Sequence, residues 1–229
     1  MLQQTQVDRV ISKYQSFIKR FPTIKKLSEA SLGDVLREWQ GLGYNRRAKM
    51  LHLCAQKITS EYRGVFPRVH SELMRLPGVG HYTAGAVMAF SYGEMIPIIE
   101  TNIRTVFIHH FFPDDTDIHD SEIIHFVERT GDRANPREWY FALMDYGAFL
   151  KKEYGNPNTK SKQYTKQSTF KNSDRHIRGA IIRALSEKEC TRAYVHKYLS
   201  FDTQRIDEQL ERLLYEGLIL KNNRTYQLP

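Results

Sequence analysis

Two short stretches hold the residue types that do chemistry. "IPIIETNIRTVF" sets one acid, Glu100, at the end of an apolar run and before the polar Thr101–Asn102 step. A carboxylate in such surroundings is costly, so it is neutralised, paired or used. Arg104, one helical turn on, offers a salt bridge. Earlier in the chain, "LPGVGHYTAGAV" places glycines for chemistry of the main chain. Gly78 and Gly80 permit positive φ and leave backbone N–H groups uncovered. The helix that follows turns its positive N-terminus to the same spot. A phosphate fits such a nest without any base being read. The hairpin carbonyls near Leu76 and Val79 suit a monovalent cation. The plainer alternative is an ordinary tight helix–helix turn.

Helices must position these groups. In "QVDRVISKYQSFIKRF" the apolar positions Val7, Val10, Ile11, Tyr14, Phe17, Ile18 and Phe21 keep three–four spacing, and Pro22 stops the helix. "LGDVLREWQ" and "RRAKMLHLCAQKITSEY" repeat the pattern, punctuated by Gly41, Gly43 and Gly64. "DSEIIHFVERTG" and "NPREWYFALMDYGAFLKKEY" add two more. No sustained period-two strand interrupts residues 1–154, so the class is mostly α. Residues 155–174 are polar, basic and poor in aliphatic side chains, which reads as a linker or a basic arm. Residues 175–229 give three amphipathic helices and then two short apolar runs about Asn222–Asn223, a hairpin signal. That order is the order of a winged helix-turn-helix, with Asp202 as a plausible N-cap of its third helix. A small helical packing module is the alternative.

Composition bounds the partners. The 229 residues carry 34 Lys+Arg against 26 Asp+Glu, a net charge of +8. Such a balance favours a polyanion, with a merely soluble basic protein as the alternative. The two cysteines, Cys54 and Cys190, lie far apart and in no CxxC. They exclude a disulfide scaffold, a four-cysteine zinc site and a cysteine-ligated iron–sulfur cluster. The nine histidines show no metal-ligand spacing; adjacent His109 and His110 do not share a helical face. Beyond a monovalent cation at the hairpin, no metal and no cofactor is expected. No apolar run approaches a membrane span and no signal peptide opens the chain. A reducing cytosol, on the nucleoid, is the expected location, with no membrane partner.

With these residues in place, "LPGVGHYTAGA" resembles the helix-hairpin-helix of the base-excision DNA glycosylases, the endonuclease III and MutY superfamily (HhH-GPD). In that family the hairpin is followed, about twenty residues on, by a catalytic acid. Gly80 and Glu100 have this spacing. "MLQQTQV" and "WQGLGYNRRAKML" resemble the MutY branch, which excises adenine paired with oxidised guanine. The likeness runs over most of residues 1–150. It implies an HhH-GPD glycosylase domain over 1–154, a monomer acting on double-stranded DNA with a mismatch or damaged base. Three departures stand out. The branch usually has Asp where this chain has Glu100. Its second catalytic acid precedes "MLQQTQV" and so falls before Met1. Its iron–sulfur cysteines and its oxidised-guanine-sensing domain are replaced by the basic arm and the winged-helix-like tail.

The resemblance implies roles. Breaking an N-glycosidic bond builds positive charge on the sugar, and a carboxylate beneath it stabilises that charge. This role falls to Glu100, with the hairpin helix and Asn102 donating hydrogen bonds to it. Tyr82 stands where bifunctional relatives carry a catalytic lysine. A phenol forms no Schiff base, so base removal without strand cleavage is expected. Tyr82 as a packed helix residue, and Asn102 as a helix N-cap, are the structural alternatives. Gln4 and Thr5 match residues that probe the opposite strand. Leu42 and Tyr44 match an intercalating loop, where apolar wedges support a kinked duplex. Arg46, Arg47 and Lys49 suit phosphates. Gly78, Gly80, His81 and Thr83 form the hairpin contact. Asp145 in "MDYGA" matches a motif that supports the acid's neighbourhood.

The favoured reading is therefore a monofunctional DNA glycosylase, acting on adenine opposite oxidised guanine. A mismatch thymine or uracil glycosylase is the second reading, because pyrimidines leave without the same ring protonation. A lesion- or mismatch-binding protein without turnover is the third. A winged-helix regulator fits the charge but not the hairpin and acid together.

Overall fold

The computed structural model describes residues 1–167 and 169–229, which form two compact units. One contains residues 1–66 and 169–229; the other contains residues 67–167. This is not the partition expected from composition, which placed boundaries at 154 and 174. The reason is the first unit's core. Phe17, Val35, Leu36 and Trp39 near the start of the chain pack in one cluster with Ile177, Ile181, Leu210 and Leu218 from its end.

The first unit begins with α1 (Val7–Arg20), α2 (Ile24–Glu29), α3 (Leu32–Glu38) and α4 (Arg46–Glu61). Side-chain caps start two of them. Thr23 accepts from the Lys26 amide, and Ser31 accepts from the Asp34 amide at 3.0 Å. The α1 periodicity is real, but only one side of it is buried. Val10 and Phe17 lie in the core, whereas Val7, Ile11, Tyr14 and Ile18 are exposed.

The second unit holds α5 (His70–Leu73), α6 (His81–Val87) with a π-helical continuation Met88–Tyr92, α7 (Thr101–Phe111), α8 (Asp120–Thr130) and α9 (Pro136–Tyr154). Its core joins Ile98, Ile103, Phe107, Ile118, Ile123, Tyr140 and Leu150. A 3-10 turn, Pro157–Lys160, follows. The first half of the expected linker is thus built into this unit. Asn158 is 2% exposed. Its amide donates to the Thr101 carbonyl at 3.0 Å and to Thr105 Oγ1 at 2.7 Å. Ser161 forms a parallel bridge with Ile118.

The chain then returns to the first unit with α10 (Asp174–Glu187), β1 (Cys190–Thr191), α11 (Arg192–Tyr198), α12 (Thr203–Tyr215), β2 (Leu220–Asn222) and β3 (Thr225–Gln227). The strands make an antiparallel sheet of order β1-β3-β2, with Cys190 opposite Tyr226 and Lys221 also opposite Tyr226. This is the winged-helix order expected, with one strand the sequence did not announce. Two residues are too short to show a period. Asp202 caps α12 on the Arg205 amide at 3.0 Å, as its position predicts. The module is not free-standing, since the Gly33 amide donates to the Pro229 carbonyl at 2.7 Å and Arg37 Nε donates to the Ser186 carbonyl at 3.2 Å.

Candidate active site and nucleic-acid interface

The acid comes first. The run before Glu100 is irregular and pinned from α9: Tyr140 Oη donates to the Ile96 carbonyl at 2.8 Å and accepts from the Ile98 amide at 3.2 Å. Burial pushes this phenol up to about 12, so it stays a donor. Glu100 then caps α7. Its Oε1 accepts from the amides of Asn102 at 2.6 Å and Ile103 at 2.8 Å. The positive end of α7 is what makes a half-buried carboxylate tolerable there. The salt-bridge alternative does not hold, because Arg104 forks onto Asp120 with both contacts at 2.7 Å.

Asn102 is therefore not the cap. It is the second residue of α7; its backbone, not its side chain, holds the acid. Its Oδ1 accepts from Lys151 Nζ at 2.7 Å, and the same amine donates to Thr101 Oγ1 at 3.2 Å. Burial pulls Lys151 below its ordinary value, while the Glu100 charge pushes the other way. Lys151 was missed in the sequence because it sits one residue from an exposed lysine, with no pattern to separate the two. Tyr82 is half-buried beside the second unit's core. Burial raises its phenol, and the Glu100 charge raises it further, so both groups share one neighbourhood. The "MDYGA" support for the acid comes from Gly147, which lies against Asn102; Asp145 is exposed.

The hairpin is close to expectation. Gly78 takes φ +74, and the Val79 amide closes the turn on the Leu76 carbonyl at 3.1 Å. Gly80 differs: its φ is −93°, an ordinary extended N-cap. What matters at Gly80 is empty space, since a Cβ added there meets nothing within 4 Å. Gly80, as the N-cap, brings no side chain to cap α6. His81 is exposed and Thr83 half-buried, both in its first turn.

The other expected DNA contacts lie in the first unit. Gln4 and Tyr44 are both left-handed, at φ +56 and +47, and Gln4 is exposed. Arg47 ties their two segments together. Its Nη1 donates to the carbonyls of Met1 at 2.9 Å and Gln3 at 2.6 Å. Its Nη2 donates to Thr5 Oγ1 at 2.9 Å and to the Leu42 carbonyl at 3.0 Å. Trp39 Nε1 fixes the same loop through the Gly43 carbonyl at 3.1 Å.

Four expectations change as a result. Arg47 is spent inside the protein rather than turned to a phosphate, and burial pulls its guanidinium down. Thr5 also donates to the Leu42 carbonyl at 3.0 Å, so its hydroxyl joins the two segments. Leu42 is 3% exposed and packs in the core, so Tyr44 is left as the wedge candidate. Lys49 reaches the Glu216 carbonyl. Arg46, at the start of α4, is exposed.

A cysteine-ligated cluster does not fit this chain. It needs four thiolates, and the two thiols present are buried and free. Burial pushes Cys54 up to about 11. Among the described residues, no group of three or more metal-ligating side chains gathers. Nor is any helix among them long and apolar enough to cross a membrane.

Residues 1–132 match the model of the HhH-GPD superfamily of base excision DNA repair proteins. The chain belongs to that superfamily. An adenine DNA glycosylase of Mycobacterium tuberculosis is 32% identical over 96% of this chain and 80% of its own length. The adenine DNA glycosylase of Mycolicibacterium smegmatis is 49% identical over 46% of the chain, which spans 36% of that protein. For the Buchnera aphidicola relative the identity is 36% over 66% of the chain, which spans 43% of that protein. Among solved structures, a thermostable thymine-DNA glycosylase superposes with a TM-score of 0.60 at 22% identity, covering 68% of this chain and 73% of that one. Endonuclease III trapped covalently on DNA gives 0.54 at 20%, covering 65% and 68%. These two establish the HhH-GPD fold and no more.

Proposed function

We propose that this HhH-GPD protein hydrolyses the N-glycosidic bond of a base flipped out of double-stranded DNA, that the base is adenine opposite oxidised guanine, and that the strand is left intact. The observation that carries the reading is the seating of Glu100. Both backbone donors of α7 bind Oε1, which leaves Oε2 for the substrate. A carboxylate fixed in this way is preorganised: it needs no rearrangement when the sugar becomes cationic. Water then adds its oxygen to C1′, one of its protons is released, and the departing purine takes up a proton from a general acid. The sum is sugar–base plus water giving sugar–OH plus free base.

The names of the relatives support adenine as the base. The placing of the amines supports the intact strand. Tyr82 offers none, and Lys151, the amine coupled to Glu100, is committed to Asn102 and Thr101. The test is single-turnover excision from a duplex with adenine opposite 8-oxoguanine, followed by borohydride. Product strands that break only after alkali, with no trapped adduct, are expected. A trapped covalent adduct overturns the intact-strand reading. No excision from this or any other mismatch, with lesion binding retained, would make the protein a binder.

A further inference from the structure

Tyr44 holds a conformation that tyrosine rarely adopts, and strain of that kind persists only where the surroundings over-determine it. Two guanidiniums do so. The Cζ atoms of Arg47 and Arg175 each lie 5.7 Å from the centre of its ring. Arg175 Nη1 also donates to the phenol oxygen at 2.9 Å. Arg47 belongs to the same loop-and-helix segment. Arg175 does not: it is the second residue of α10, the first helix of the winged-helix module. That end of the helix is anchored by the Ser173 cap on the His176 amide and by Ile177 in the core.

The helix that would read a groove in a winged-helix module is α12, and it is ill suited to phosphates. Its exposed face carries Glu208 and Glu211. Both of its arginines bind Asp174, Arg205 at 2.7 Å and Arg212 at 3.4 Å. Its Asp207 is held by Arg192 and His196. Outward acids and cations already in ion pairs release few counterions on binding DNA.

We infer that the C-terminal module serves DNA recognition through Arg175, a positioning residue that holds Tyr44 ready to enter the duplex, and not through α12. The inference rests on the proposed function, with Tyr44 as the wedge candidate that supports the kinked duplex. The guanidinium supplies a cation over the ring and a hydrogen bond at its tip, so the ring cannot swing away without losing both.

The experiment is a double-mutant cycle on the full chain with two readouts. The first is amide hydrogen exchange at residues 41–46 without DNA. Arg175→Ala is expected to speed it by about fivefold and to leave α7 unchanged. The second is affinity for lesion duplex over undamaged duplex. Arg175→Ala should lower that ratio by about fivefold, with the salt dependence on undamaged DNA unchanged, and should add nothing once Tyr44 is Ala. Glu208→Gln with Glu211→Gln should leave both duplex affinities as they were. If Arg175→Ala does not fold, Arg175→Met keeps the aliphatic stem, removes both the cation and the donor, and is read in the same way.

An equal loss on both duplexes, with the salt slope reduced by about one, would make Arg175 a phosphate contact and overturn the inference. Tighter binding by the doubly substituted α12 would place that helix on DNA and overturn it too. Faster exchange in Arg175→Ala, with lesion preference untouched by Tyr44→Ala, would overturn it at the wedge and leave the proposed function standing: the contact would be real and the loop not at the DNA.

Discussion

Gly147 lies against the backbone of Asn102: a Cβ on Gly147 would stand 2.1 Å from the Asn102 carbonyl oxygen and 2.8 Å from its Cα. The neighbour is main chain, so no rotamer change relieves the contact. Asn102 is also the residue whose amide holds Glu100. Gly147→Ala should therefore push α7 away from α9 and cost about 1–3 kcal/mol. Excision should fall further than stability alone explains. Thermal melts and single-turnover rates at a temperature where the variant is folded check this. An unchanged rate would detach the α7 N-terminus from catalysis.

Glu100→Gln keeps an oxygen for the two α7 amides and removes the charge. The fold should survive, excision should fall by about two or more orders of magnitude, and lesion binding should hold or tighten. Glu100→Asp restores the residue usual in the MutY branch and should keep comparable activity if the shorter side chain still reaches both amides. Excision by folded Glu100→Gln at the unsubstituted rate would show that the acid is a cap and nothing else.

Lys151→Met removes the amine that fixes Asn102 and places a cation near Glu100. Excision is expected to drop about tenfold, because an electrostatic partner and a hydrogen-bonded support go together. Stability should change little, since burying the ammonium is itself costly. A rate equal to that of the unsubstituted chain would reduce Lys151 to packing.

Arg47→Lys keeps the charge but cannot span four acceptors as the planar fork does. The Met1–Thr5 turn and the Leu42–Gly43 carbonyls should separate. Lesion preference should fall while the salt slope on undamaged duplex stays the same, because Arg47 faces no phosphate in this arrangement. A salt slope reduced by about one would return Arg47 to the role its sequence position suggests.

Asp207 sets an acid limit on the winged-helix module. The hydrogen bond from Arg192, with His196 at 2.8 Å, holds its carboxyl at about 2, below the ordinary 3.8. A depressed acid contributes stability that is present above 3.8 and is lost as pH falls through about 2. Asp207→Asn should be less stable than the unsubstituted chain at neutral pH, with the gap closing between pH 3.8 and 2. A gap that stays constant across that window would mean the pair contributes through shape alone.

Much of this molecule was legible in the chain itself. The three–four spacing gave the helices, Asp202 announced the start of α12, and the Asn222–Asn223 step gave the wing. The hairpin glycines and Glu100 stood at a spacing that named the superfamily. Local chemistry sufficed for these, because turns, caps and periodic faces are short-range. Pairings across long separations were not written there. Arg104 had Glu100 four residues away but chose Asp120, which meets it with a matching fork. Leu42 read as a wedge and became core, since burial depends on which helices arrive from elsewhere. Arg47 read as a phosphate contact and became the tie between two loops. Asn158 lay in a polar stretch that looked like linker and became a buried brace for α7. Arg175 and Tyr44, 131 residues apart, met only because the end of the chain shares a core with its beginning. The sequence determined which groups could do chemistry; tertiary packing decided which were left facing outward to do it.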